Sequence, residues 1–139
     1  MLGNDAGMIQ ESVHVGTTIA RAATDVYEYV ADPTNLSEWA AGLAHRPVER
    51  IDGQWVVESP LGRVVVEFAP ANTDGIVDHV VTLPDGTRVL NPMRVIPNGD
   101  GCDVVFTVRR QPGMSDDEFA ADVGAVRTDL ETLRTVLQR

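Results

Sequence analysis

The stretch SDDEFAADVGAVRTDLETLRTVL, residues 115–137, decides the architecture. Ser115 followed by Glu118 makes a capping box, in which each side chain satisfies a backbone N–H that the first helical turn leaves free. Asp116, Asp117 and Glu118 also suit the positive end of a helix dipole. Beyond them Phe119, Val123, Val126, Leu130, Leu133 and Leu137 recur at spacings of four and three. That pattern draws one apolar stripe along about five turns of helix. The charged residues Asp122, Arg127, Asp129, Glu131, Arg134 and Arg139 fall elsewhere. A stripe of this length has to cover something. A coiled coil is one answer and a sheet is the other, and the upstream sequence supplies a sheet.

Working back from the helix, period-two segments alternate with turn residues. Asp103 to Gln111 ends at Pro112-Gly113, and Thr87 to Ile96 ends in Pro97-Asn98-Gly99-Asp100-Gly101. Ile76 to Leu83 ends at Pro84-Asp85-Gly86, and Arg63 to Phe68 ends before Pro70. Gln54 to Ser59 and Arg46 to Ile51 flank Asp52-Gly53, a strong hairpin turn. With Glu11 to Ile19 at the front, the count is seven strands joined by short turns, as in an antiparallel meander. Between the first strand and the rest the period changes. Thr24 is placed to cap a short helix that buries Val26, Tyr27 and Val30, and Asp32-Pro33 stops it. Thr34 to Trp39 then reads as a second short helix burying Leu36 and Trp39. Tyr27 and Trp39 read as packing residues.

The segment DVYEYVADPTNLSEW, residues 25–39, within this element order resembles the opening of the START-like superfamily, also called SRPBCC, whose small bacterial members include polyketide cyclase/dehydrase-like proteins. Tyr27, Asp32, Pro33, Leu36 and Trp39 carry the match, and the likeness in element order runs from about Met8 to Arg139. The resemblance implies an α+β helix-grip fold: a curved seven-stranded antiparallel sheet around a long C-terminal helix, with two short helices after strand 1 and a cavity between sheet and helix. It also implies an apolar occupant such as a lipid or a polyketide. The expected extent is a single START-like domain over 8–139, with a flexible segment at 1–7.

The formal net charge of -10 and a pI near 4.5 speak against nucleic acid and anionic membrane as partners, since both demand clustered positive charge. The basic residues are all arginine and are scattered. One cysteine, Cys102, allows no internal disulfide and reads as a small structural residue. His14, His45 and His79 stand at no metal-ligand spacing, so neither a metal nor another cofactor is expected. The first residues are small and polar rather than a signal peptide, and no apolar stretch approaches membrane-spanning length. The expected location is the cytoplasm, without integral membrane association. The sequence leaves the oligomeric state open.

Strand alternation assigns the faces. Val64, Val66 and Phe68, then Val104, Phe106 and Val108, are the inward sets of their strands. Charged or polar residues on the opposite faces turn Val77, His79, Val81 and Leu83 inward, and likewise Val89, Asn91, Met93 and Val95. Trp55 and Val57 make the inward pair of their strand. A Pro84-Asp85-Gly86 loop pairs Leu83 with Thr87, hence Val81 with Val89 and His79 with Asn91, unless Pro92 shifts the register. The expected pocket residues are therefore His79, Asn91, Trp55, Met93, Phe106, Arg110 at the rim, and Phe119 and Val123 closing from the helix. His79 is the candidate acid/base, and adjacent Asp78 points to the other face, so the two form no dyad. Three functions stay open: a binder of an apolar or aromatic small molecule, a cofactor-independent cyclase, dehydratase or isomerase using His79, and a protein-interaction module with a filled core.

Overall fold

Two antiparallel sheets and three helices make up the protein in a computed structural model, which describes residues 8–41, 43–44 and 46–139. The segment 1–7 and His45 lie outside the described residues. In chain order the elements are β1 (Ser12–Ile19), α1 (Ala23–Ala31), a 3-10 turn (Pro33–Asn35), α2 (Leu36–Trp39), β2 (Glu49–Ile51), β3 (Gln54–Ser59), β4 (Gly62–Phe68), β5 (His79–Thr82), β6 (Arg88–Asn91), β7 (Met93–Asn98), β8 (Gly101–Arg109) and α3 (Asp116–Leu137). One sheet has the order β1-β8-β7, the other β2-β3-β4-β5-β6. Eight strands in two sheets thus replace the expected seven strands of one sheet.

The extra strand comes from Pro92, which divides the expected Thr87–Ile96 strand. Proline has no N–H to give to a ladder. Its carbonyl instead accepts from Thr107 N at 2.9 Å, on the β8 side. Up to Asn91 the strand pairs with β5, and from Met93 it pairs with β8. The register does not slip at this point: Ile76 bridges to Arg94, His79 faces Asn91 and Val81 faces Val89. Asp78, which the register sets opposite Pro92, fills the gap with its side chain. Its carboxylate accepts Met93 N at 2.8 Å and pairs with the Arg94 guanidinium.

Other boundaries also move. The expected Ile76–Leu83 strand keeps only His79–Thr82 as regular ladder, and Arg46–Ile51 shortens to an exposed edge strand, Glu49–Ile51. Thr24 is not the helix cap: α1 begins at Ala23, with Ala22 as a cap that offers no side-chain acceptor. Asp32 caps the following turn, its Oδ1 accepting from Thr34 N at 3.0 Å.

The Ser115–Glu118 capping box forms in full. Behind it Phe119, Leu130, Leu133 and Leu137 are buried, while Val123 and Val126 are half-buried against the same core. The helix lies chiefly on β1 and β8, with α2 alongside. Burying each such Leu or Val stabilises the fold by about 1.5–3 kcal/mol before the entropy cost. Both helix ends are fastened. Arg110 donates to Met114 O at 2.9 Å and 3.2 Å and meets Asp116 at 2.7 Å and Glu11 at 3.3 Å. At the far end Arg21 donates to Leu137 O and Ala20 N to Gln138 Oε1, each at 2.8 Å. Among the described residues no helix is long and apolar enough to cross a membrane.

Candidate functional site

A cavity of about 360 Å³ lies between α3, α2 and the sheets. Each wall follows from a local rule. β5 and β6 face each other across the Leu83–Thr87 turn, where Gly86 takes the positive φ of 89° that the tight reversal needs. Their inward positions supply His79, Val81 and Leu83 from one strand and Val89 and Asn91 from the other. β8 adds Phe106 and Val108, and the segment after it adds Gln111 and Met114. The α2 side brings Leu36, Trp39, Ala40 and Leu43. From α3 come Asp122, Ala125, Val126, Asp129 and Leu130, at the spacing of one helical face. Leu61, 70% exposed at the β3–β4 tip, together with the exposed Asp122, marks the mouth.

His79 is the buried polar residue of this lining, at 4% exposed. Its ring packs against Phe68 at 5.0 Å and edge-on to Phe106 at 5.6 Å between centroids. Burial among these rings holds the imidazole below the usual histidine range, while the Val77 carbonyl and the Asp78 charge pull weakly the other way. It is therefore neutral at pH 7. Nδ1 lies 3.2 Å from Val77 O, so the proton sits on Nδ1 and Nε2 is left as an acceptor. His79 and Asn91 are directly opposed in the ladder, but the ring's hydrogen bond goes to the Val77 carbonyl rather than to the amide. Asp78 points away from His79, toward Met93 N and Arg94, as adjacent strand residues must. Trp39, 2% exposed in the wall, has an indole N–H without an acceptor among the described residues.

The cavity brings together three of the expected pocket residues, His79, Asn91 and Phe106. The other five stand elsewhere. Met93 is fully buried in the core. Trp55 is half-buried on β3, with the Arg50 guanidinium 5.2 Å above its ring. Arg110 fastens the start of α3, and its guanidinium rests 5.8 Å from the Phe119 ring, which occupies Phe119 as well. Val123 packs on the core. For Phe119 and Val123 the reason is rotational: the face of α3 that meets the cavity is centred on Val126 and includes Asp122 and Asp129, which the sequence presents as surface charges. Their spacing to Val126 and Leu130 is the signal that marks them. Asp122 is partly desolvated there, which raises its carboxyl above the usual range. Among the described residues no group of three or more His, Cys, Asp or Glu could hold a metal ion.

Comparison with known proteins adds the context. A family model described as polyketide cyclase / dehydrase and lipid transport matches residues 10–138. No curated protein matches the chain in sequence. Among solved structures, an uncharacterised protein from Bacillus thuringiensis superposes with a TM-score of 0.72 at 11% identity, covering 93% of this chain and 100% of its own. The ZhuI aromatase/cyclase from Streptomyces sp. R1128 gives 0.69 at 16% identity, covering 94% and 95%. A truncated norcoclaurine synthase from Thalictrum flavum gives 0.62 at 16% identity, covering 94% and 96%. At these identities the likeness is one of fold: α+β, antiparallel sheets and a C-terminal helix.

Proposed function

The chain belongs to the polyketide cyclase / dehydrase and lipid transport family, and on that premise we propose that it binds a small molecule with an apolar or aromatic body and one hydrogen-bonding group. The observation that carries this reading is the cavity of about 360 Å³ with a buried, neutral histidine in its wall. Ligand pockets start near 300 Å³ and are mostly apolar with a few placed polar groups. A protein-interaction module with a filled core needs no such space. His79 Nε2 accepts from a ligand hydroxyl, and Asn91 offers an amide beside it.

The test compares two probes of one shape, 2-naphthol and naphthalene, by calorimetry on the purified protein. Both bind, and 2-naphthol binds about threefold to tenfold more tightly, the worth of one net hydrogen bond. His79→Leu erases that difference. Failure of both probes to bind or to raise the melting temperature removes the proposal.

A second reading rests on the same imidazole. A neutral histidine beside an amide is the pair needed to take a proton from carbon and to steady the resulting enolate, as in a cofactor-independent cyclase, dehydratase or isomerase. The burial that keeps His79 neutral also makes it a weak base, and for that reason binding stands first. Turnover of a polyketide-like substrate that persists in His79→Ala would rule His79 out as the catalytic base.

A further inference from the structure

The polar groups of the cavity wall can be counted. Of those on its described lining, Gln111 donates to Arg109 O at 3.1 Å, Asp122 is exposed at the mouth and Asp129 has a partner of its own. His79 and Asn91 remain, directly opposed in the ladder, with Cβ atoms about 5 Å apart. His79 spends its Nδ1–H on Val77 O, which leaves Nε2 as an acceptor. The Asn91 side chain makes no hydrogen bond with any described residue. Neither group is walled off: among the described residues, the unpartnered polar side-chain atoms sealed from open space are the Tyr29 hydroxyl and the Trp39 indole nitrogen. The wall thus offers two open acceptors, His79 Nε2 and Asn91 Oδ1, and one open donor, Asn91 Nδ2. Turning the Asn91 amide over exchanges its two atoms and leaves the count unchanged. Polar groups set into an apolar wall need partners, and here the occupant has to supply them.

A group that satisfies all of them brings two donors and one acceptor. A hydroxyl brings one donor, a ketone or ester none, and a carboxylate sets charged oxygens against two acceptors. A primary carboxamide brings the full set. We infer that the site selects an apolar or aromatic molecule that ends in a primary carboxamide. Its C=O and one N–H meet the Asn91 amide in two parallel bonds, and its other N–H reaches His79 Nε2. The inference rests on the cavity reading above and names the ligand's polar group.

2-Naphthamide and 2-acetonaphthone share one shape and one carbonyl, and a methyl group replaces the amide nitrogen in the ketone. Titrated by calorimetry at pH 7, the amide binds about tenfold more tightly than the ketone, the worth of two net hydrogen bonds. That ratio falls to about threefold in Asn91→Val, a strand-forming substitution, and likewise in His79→Leu, since each variant keeps one of the two acceptors. Asn91→Val retains the preference for 2-naphthol over naphthalene, which His79 carries. Equal binding of amide and ketone to the wild type overturns the carboxamide assignment whether or not either variant folds, and a kept preference for 2-naphthol then leaves the cavity reading in place. A ratio undiminished in both variants overturns the assignment too, because the amide would then be held elsewhere. Failure of both probes and of 2-naphthol to bind takes the cavity reading down with it.

Discussion

Leu130 and Leu133 sit one turn apart on α3 and are buried alike, at 1% and 0% exposed, yet only Leu130 borders the cavity. That difference yields an unequal pair of mutational costs. Leu133→Ala removes three buried methyl or methylene groups, about 2.4 kcal/mol at ~0.8 kcal/mol each. The hole it leaves is walled on all sides, and the unrelieved void brings the total to about 4 kcal/mol. Leu130→Ala loses the same groups, but one side of that leucine already faces empty space and makes fewer contacts to lose. Its void merges with the existing cavity, so the cost stays near ~2.5 kcal/mol. The expected gap of about 1–1.5 kcal/mol is read from urea midpoints at equal m-values, where it exceeds the error of extrapolation. Equal losses, or a larger loss at Leu130, would mean that Leu130 is packed on every side in solution. The cavity would then be closed, and the functional reading built on it would fail.

Three further outcomes are expected. Burial holds His79 below the ordinary histidine value, so as pH falls the unfolded chain takes up the proton first. The stability this contributes is present above about pH 6.5 and is lost below it at up to ~1.4 kcal/mol per pH unit, so urea midpoints of the wild type should drop more steeply from pH 6.5 to 5 than those of His79→Leu; parallel profiles would show that the imidazole is not buried and neutral. Ser115→Ala should cost about 0.5–2 kcal/mol in thermal unfolding through loss of the cap, while 2-naphthol affinity is kept, and a loss of affinity larger than the loss of stability would place Ser115 at the cavity mouth. Asp78→Ala should cost about 1–3 kcal/mol by leaving Met93 N and Arg94 without their acceptor, and faster amide exchange at Met93 would report it locally; unchanged exchange would mean that the strand junction holds without the carboxylate.

What was legible in the sequence follows physical locality. The capping box and stripe of α3 and the turn at Gly86 are written in residues a few positions apart, and the structure has both. From the turn alone the pairing of His79 with Asn91 could be counted, and the ladder makes that pairing. The division at Pro92 could not be counted. Register and parity run through it unchanged; past it the chain keeps its bonds to residues 75–77 and gains β8 as a neighbour, which is a matter of tertiary arrangement. The helix wall was missed for a related reason. A stripe gives the face that is buried most deeply, whereas a cavity opens beside that face, where Asp122 and Asp129 look like ordinary solvated charges. Phe119 and Arg110 have the right chemistry for a pocket, but each is occupied by a partner that no spacing rule reveals, whereas Arg50 opposite Trp55 could be counted from the Asp52-Gly53 turn.

The double fastening of α3 bears on how anything enters or leaves. A rigid-rod tilt of the helix would break the Arg110 cluster at one end or the Arg21 and Ala20 contacts at the other. The helix is thus a fixed jaw. The opposing lip is the β3–β4 tip, held by the short bonds of Ser59 to Gly62 O and Leu61 N and carrying the exposed Leu61. Residence time should therefore follow the side chain at position 61 and the stiffness of that two-residue reversal, with exchange governed by a hairpin moving on the nanosecond-to-microsecond scale of loops rather than by the slower motions of a packed helix.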